Sequence, residues 1–452
     1  MKTIRIFFAL SVLFVSLPAL GQIEQTRHTP NLAGNRALIR EYLDWITISY
    51  VEANDGSKYF VHEDPLSSTA YAALVPDGIT VNDMDIFAEY LYFCGTYTKD
   101  GNTQGIVGLF NIPNLYGWGM PYYISPLDWV IDESGASVRM TRPLRVGRTV
   151  DTQPAGTHVP IVGEIEIRDA AGNITSQTGL CAAHINSLLA TWEYSFYYTP
   201  NPDIVFTDIT RTDNFYVAVG RHEGNSSTVI KTFNSTFPFT QSPVSSDISE
   251  VNDNITEGDV LVTALGGEDF ALVNYYHDAS EAGSTVKIMD ATNPINIPVC
   301  IRLPQNTSPV VSPSWLLREI QYDTFNNILF VLQDMDYPVS TSTASTVCEY
   351  KPLLSSNSGL YTQPGYSAHG MGAWTGGGFQ IVGDDAGKLT YMRKVSGQNS
   401  ACRKTTTKNH ETYTLDANQT YNSDISTIIK FQCLTIPVIT DSIKFIDDCL
   451  IK

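Results

Sequence analysis

The chain has 452 residues, 43% hydrophobic and 17% charged, with a formal net charge of −19. An acidic surface of that size repels phosphate backbones and anionic lipid, which argues against nucleic-acid and membrane-surface partners. The length is ample for a sizeable core, so the seven cysteines are not needed to hold a fold together.

Residues 1–21 carry Lys2 and Arg5, an apolar run from Ile6 to Leu17, and the small-residue sequence Ala19-Leu20-Gly21. That order is a secretory signal, with cleavage expected after Gly21. The run is short for a membrane span, which needs roughly 20 residues; a retained N-terminal anchor helix is the alternative. No cysteine follows the cut, so a lipoprotein anchor is not indicated. The mature protein is expected to be exported (periplasmic, at the cell surface or secreted) with no membrane span. Losing Lys2 and Arg5 takes the net charge from −19 to −21.

Residues 22–48 read as a lead-in and 49–452 as one domain. The best helix candidate is Asn35 to Ile46, where Leu38, Ile39, Tyr42, Leu43 and Ile46 recur at helical spacing. A linker running into a strand at WITISYVEA is the other reading. Beyond it, apolar runs of four to eight residues alternate with turn clusters such as KDGN, DAAGN, HEGN and DDAG, an all-β pattern.

Five copies of one unit stand out: a β-rich strand, a polar turn, then a second strand. Their first strands read EYLYFCGTY from Glu89, DNFYVAVGR from Asp213, EDFALVNYY from Glu268, NNILFVLQD from Asn326 and GGFQIVGDD from Gly377. Acidic-apolar lead-ins precede several of them: VNDMDIF, FTDITRT and LREIQYD. The last four copies start 51 to 58 residues apart. A worn copy, Ile161 to Ile185, fills the double gap before them. A repeat near 55 residues implies six to eight units, seven fitting best. Units of this size with three or four antiparallel strands predict a single all-β propeller. WITISYVEA and SKYFVHED are expected to complete the last blade with strands near VITDSIKFID. The alternative is two or more β-sandwich domains, with a boundary near Thr199 to Pro202.

GIVGLFNIPN and STVKIMDATNPINIPVCIRLP resemble the LVIVD-type propeller repeat: a strand, a Gly turn, a strand ending in Asp, then Asn-Pro. The match is good over one unit and partial over two or three more, about a third of the chain. Asp290 and Pro294 are expected to shape a strand exit. The signal segment and composition also resemble uncharacterised exported proteins of Bacteroidota. Both resemblances imply architecture and no activity.

No sequence motif fixes a chemistry. The cysteines Cys94, Cys181, Cys300, Cys348, Cys402, Cys433 and Cys449 have no CxxC spacing, so no zinc site is expected. Several sit in strand-like runs as small buried hydrophobes; Cys433 with Cys402 or with Cys449 is a candidate pair. DAAGN, DDAGK and SEVNDNITEGD cluster oxygens but read better as hairpin turns than as calcium loops. No metal and no cofactor are expected. Arg139, Arg142, Arg145 and Arg148 lie three apart in a Pro/Gly-interrupted run, read as a solvated loop rather than an anion site. No Gly-x-Ser-x-Gly and no HExxH occur.

Candidate ligand-binding residues are the rings Tyr116, Trp118, Tyr122, Tyr123 and Trp129 in the stretch Leu115 to Trp129, together with His369 and Trp374 in YSAHGMGAWTGGGF. Rings among Gly and Pro suit a sugar face or another protein. An inter-blade loop covering the core, and a Gly-rich blade edge, are the plainer readings. The expected function is therefore a non-enzymatic propeller that binds protein or glycan. The rival is a carbohydrate-active enzyme of glycoside hydrolase or lyase type, with carboxylates converging at the channel mouth.

Overall fold

The computed structural model describes residues 25–28, 34–43, 46–53, 56–63, 69–87, 89–112, 122–131, 136–147, 150–152, 156–186, 191–199, 201–224, 227–236, 240–241, 248–252, 259–277, 282–294, 299–302, 317–324, 326–336, 343–351, 356–364, 366–374, 378–385 and 388–394, and short strands between 404 and 447. They form seven antiparallel sheets.

Each sheet is one blade, and its first full-length strand lies innermost. The inner strands are Gly34–Leu43 in blade 1, Ile79–Phe87 in blade 2, Ser137–Val146 in blade 3, Ile204–Arg211 in blade 4, Val260–Gly266 in blade 5, Leu317–Asp323 in blade 6 and Tyr366–Trp374 in blade 7. Second, third and fourth strands follow outward in chain order in blades 1 to 6. The repeat seen in the sequence is the hairpin of second and third strands, Tyr90–Lys99 with Asn102–Asn111 in blade 2, for example. The worn copy falls in the hairpin Gly156–Arg168 with Ile174–Asn186 of blade 3.

Strand side chains alternate between faces, so each blade buries one set against each neighbour. In blade 2, Leu91 and Phe93 join a cluster with Tyr50 and Phe60 of blade 1, whereas Tyr92 and Cys94 join Val138 and Met140 of blade 3. Five more clusters join successive blades, and the last one closes the ring. It sets Val382, Leu389 and Tyr391 of blade 7 against Ala37, Ile39 and Val51 of blade 1.

Closure uses the N-terminus. Gln25–His28 pairs with Lys388–Lys394 as the fourth strand of blade 7. WITISYVEA and SKYFVHED therefore do not complete the last blade. They supply the second and third strands of blade 1, Ile46–Ala53 and Lys58–Glu63. Seven short strands between Lys404 and Asp447 then add a fifth strand to the outside of each blade, passing from blade 6 back to blade 1 and then to blade 7. Thr440–Lys444, within VITDSIKFID, pairs with Thr69–Leu74 of blade 1. These outer strands cover sheet edges that would otherwise present open backbone donors and acceptors.

Two further expectations are corrected. The helix at Asn35 to Ile46 is the inner strand Gly34–Leu43 of blade 1. Ala37, Leu38, Ile39 and Arg40 are all buried in succession because both faces of an inner strand are covered; continuous burial imitated helical spacing. The arginine run is not a solvated loop but the inner strand Ser137–Val146 of blade 3.

Turn chemistry explains the local exits. Asp169 accepts hydrogen bonds from the Asn173 backbone N–H and Nδ2, each at 2.8 Å, and Gly172 takes φ +88°. DAAGN is thus a self-satisfied hairpin turn. Asp290 accepts from the Thr292 N–H and hydroxyl at 2.7 Å, which shapes the exit from its strand. Cys94 and Cys181 are buried within strands of blades 2 and 3; Cys402, Cys433 and Cys449 lie outside the described residues.

Candidate functional site: a charged belt across the channel

The inner strands line a central channel, and five of them are irregular at the same level. Their pairing with the second strand shifts between Val81 and Asp83, Pro143 and Arg145, Phe206 and Asp208, Leu317 and Glu319, and Ala368 and Gly370. Each shift is a bulge, which inserts an unpaired residue and re-aims the one after it. The residues following the bulges are Asp83, Arg145, Asp208, Glu319 and Gly370; Arg40 of blade 1 joins four of them in one cavity lining. A glycine stands opposite the bulge in blades 2 and 4. A Cβ on Gly95 would lie 2.0 Å from the Thr80 carbonyl oxygen, and one on Gly220 2.0 Å from that of Val205.

The side chains form a belt. Arg40 donates from Nη2 to Asp83 Oδ1 at 2.8 Å and from Nη1 to Glu319 Oε2 at 3.4 Å. Arg145 Nη1 lies 3.7 Å from the same Glu319 oxygen, and its Nη2 donates to the Arg318 carbonyl at 3.2 Å. Glu319 thus joins blades 1 and 3 to blade 6, none of them neighbours. Of the remaining carboxylate oxygens, two fasten adjacent blades and two bond within their own strand. Asp83 Oδ2 accepts from the Val146 N–H at 2.9 Å. Asp208 Oδ2 accepts from Val262 N–H at 2.8 Å and Oδ1 from its own strand's Ile209 N–H at 2.9 Å. Glu319 Oε1 accepts from Gln321 Nε2 at 3.3 Å.

Burial and charge set the ionisation. Burial works against the charged form of both arginines, but Glu319 and Asp83 outweigh it and hold each above its ordinary value. Burial also raises Glu319, with Arg40 and Arg145 opposing. Asp208 is pushed up to about 7 by burial, against the pull of Arg145. That places the Asp208 carboxyl to change charge near neutrality.

The belt separates two cavities. One, of about 340 Å³, is lined by residues that follow the belt on their strands, including Phe87, Thr210, Thr263, Gln321 and Tyr322. The other, of about 680 Å³, is lined by residues that precede it or fill the bulges, including Asn82, Leu144, Thr207, Arg318 and His369. Arg145 borders both. Both volumes fall in the range of ligand sites, roughly 300 to 1,000 Å³.

The described residues among those singled out from sequence lie on blades 2, 3 and 7. Tyr116 and Trp118 lie outside the described residues. Tyr122 and Tyr123 are on the fourth strand of blade 2, Tyr122–Pro126, three strands from the channel. Trp129 is half-buried, with the Arg139 guanidinium 4.7 Å and the Arg168 guanidinium 4.1 Å from its ring centre. Its ring is occupied by cations of its own blade. Trp374 ends the inner strand of blade 7, paired with Gly378. His369 is half-buried in the wall of the larger cavity.

Of the arginines, Arg139 pairs with Glu166 at 2.6 Å and Arg142 with Glu164 at 2.9 Å. Arg145 is half-buried in the belt, and Arg148 lies outside the described residues. The missed site residues sit in a pattern already visible: the lead-ins VNDMDIF, FTDITRT and LREIQYD hold Asp83, Asp208 and Glu319 in one column. Aligned with the glycine of YFCGTY and VAVGRH opposite, that column marks the bulge.

No protein-family profile matches the chain, and no curated protein sequence matches it. Among solved structures, prolyl oligopeptidase B from Galerina marginata, in two substrate-bound variants, is similar at 7% and 8% identity with TM-scores of 0.35 and 0.37. Each match covers 86% of this chain and 52% of the other. A prolyl endopeptidase structure matches at 9% identity and TM-score 0.18, over 75% of this chain and 56% of its own. The chain spans about half the length of these structures. Likeness at that level carries no activity across, and the propeller stands on the seven sheets and the seven interfaces between them.

Proposed function

We propose that this chain is an exported, non-enzymatic propeller that binds a hydroxyl-rich, glycan-like group in the smaller cavity, against the belt. One observation carries the reading: each belt carboxylate has both oxygens engaged in holding strands and arginines. Groups so committed are poor proton shuttles but rigid acceptors, since each oxygen keeps a second lone pair for a ligand hydroxyl. Thr210, Thr263 and Gln321 add donors and acceptors, and Phe87 and Tyr322 add rings for a sugar's C–H face. The charged, apolar and small-residue order of residues 1–21 supports export. The LVIVD-type resemblance of the Gly283 to Pro304 stretch is consistent with a repeat protein of this kind.

The test is a glycan array probed with the mature chain, then with Phe87→Ala and Tyr322→Ala. Binding should fall at least tenfold in both. Binding that survives both changes and is lost in Trp118→Ala or Tyr123→Ala would move the site to the Leu115 to Trp129 stretch.

The enzyme reading has one observation in its favour: Asp208, at about 7, lines the same cavity as Asp83 and Glu319. A carboxyl raised to that range is the usual general acid of a glycosidase. Hydrolysis of aryl glycosides by the wild type, abolished in Asp208→Asn, would establish it in place of simple binding.

A further inference from the structure

We propose that the ligand of the smaller cavity is cationic, a hydroxylated group carrying an ammonium, as an amino sugar does; this rests on the glycan-like reading above and adds a charge to it. Two guanidiniums, Arg40 and Arg145, line the cavity against four carboxylates, Asp83, Asp85, Asp208 and Glu319. The lining therefore keeps an excess of two negative charges, or of one with Asp208 protonated. The larger cavity does not cancel it, because there Arg142, Arg221 and Arg318 are matched by Glu164, Glu223 and Asp259. Two further acids, Asp269 and Asp323, act on Tyr322 in the wall of the smaller cavity. A recess walled by protein focuses such a field and favours an entering cation over a neutral group.

Past the bulges the inner strands are regular again, so every second residue shares the face of the belt. In the cavity wall Asp85 thus follows Asp83, Thr210 follows Asp208 and Gln321 follows Glu319. Thr210 is 4% exposed, and its hydroxyl has no hydrogen-bond partner among the described residues. A buried hydroxyl left in that state is costly, and a donor brought by a ligand satisfies it. Gln321 spends its Nε2 on Glu319, which leaves its amide oxygen as an acceptor. An ammonium carries three N–H donors and no acceptor, the complement of a hydroxyl, an amide oxygen and carboxylates. Phe87, and Tyr322 with its hydroxyl held 2.7 Å from Asn327 Oδ1, add rings that attract a cation. The cation is organic rather than a metal ion: among the described residues no group of His, Cys, Asp and Glu is arranged to hold a metal.

The experiment is calorimetric titration of the mature chain with glucosamine, glucose and glucuronate at about pH 6, where the amine is protonated. Choline against its neutral isostere 3,3-dimethylbutan-1-ol separates the charge from the sugar. Glucosamine should bind at least tenfold tighter than glucose, with glucuronate the weakest of the three. Asp85→Asn removes one charge and keeps the shape, and should reduce the preference for glucosamine severalfold. Thr210→Val, which removes only the unbonded hydroxyl, should weaken glucosamine binding severalfold. Glucosamine binding no tighter than glucose, or glucuronate binding tightest, would overturn the cationic reading and leave the glycan site standing. Choline bound in preference to its isostere, with none of the sugars bound, would keep the cationic site and sink the glycan-like ligand. No binding of either cation, or wild-type preference in a folded Asp85→Asn, would overturn the proposal. Should Asp85→Asn not fold, wild-type affinity of Thr210→Val for glucosamine would do so.

Discussion

The seven interfaces between blades and the belt across the channel hold the same ring together with opposite chemistry. At the interfaces, rings and aliphatic side chains alternate along strands and pack face to face, as Phe60, Phe93 and Phe110 do between blades 1 and 2. Any well-packed apolar set of that volume would serve. At the belt, Arg40, Asp83, Asp208 and Glu319 are buried and Arg145 is half-buried, each needing a partner at one position on another blade. The interfaces supply most of the stability. The belt costs desolvation, and what it adds is specificity: it fixes which blades face each other and divides the channel into two cavities.

The largest effects should come from opening either region. Phe93→Ala leaves a void among rings of two blades and should cost about 3 to 5 kcal/mol by denaturant unfolding. Arg40→Met strands Asp83 and Glu319 beside an apolar chain and should cost a similar ~3 to 5 kcal/mol. The two regions then part company. Replacing Asp83, Glu319 and Arg145 as well with apolar residues in the Arg40→Met background should recover part of the loss, short of the bond that Asp83 accepts from the Val146 N–H, whereas no polar set can rescue Phe93→Ala. Failure to recover would mean that the belt supplies stability as well as specificity.

Next in size is a pH effect. Asp208 is raised to about 7 in the folded chain, so its contribution is fully present below the ordinary carboxylate range and is lost as pH rises through 7. Between pH 5 and pH 8 the wild type should lose roughly 2 kcal/mol through this group, and Asp208→Asn should lack that slope in paired unfolding curves. An interface change such as Phe93→Ala should leave the slope intact.

Gly220→Ala drives a methyl toward the Val205 carbonyl opposite a belt bulge and should cost about 1 to 3 kcal/mol in thermal unfolding. Gly101→Ala, at φ +80° in a hairpin turn with open space around it, should cost less, about 1 kcal/mol. Arg142→Ala, at an exposed pair, should change stability by under about 0.5 kcal/mol.

The same contrast decides what was legible in the sequence. Blade hairpins were readable because strands with two covered faces become runs such as FYVAV and ILFVL, ended by Asp, Asn and Gly turns. The closing strand, Gln25–His28, was not, since four mixed residues carry no period. Inner strand Gly34–Leu43 read as a helix because burial on both faces erased its alternation. The belt hid differently. Its acids stood in the repeated lead-ins, but a column reading Asp83, Arg145, Asp208 and Glu319 mixes charges of both signs, and only ring closure shows that they meet. The aromatic stretch drew notice for composition alone, and Trp129 turned out to face the arginines of its own blade.

The most direct test of the belt is a double-mutant cycle between Arg40 and Glu319, which lie on blades 1 and 6 and meet only across the channel. Unfolding free energies of Arg40→Met, Glu319→Leu and the double variant should show a coupling of at least about 1 kcal/mol. Additivity within roughly 0.5 kcal/mol would contradict the account, because the channel would then have no charged belt and no division into two cavities.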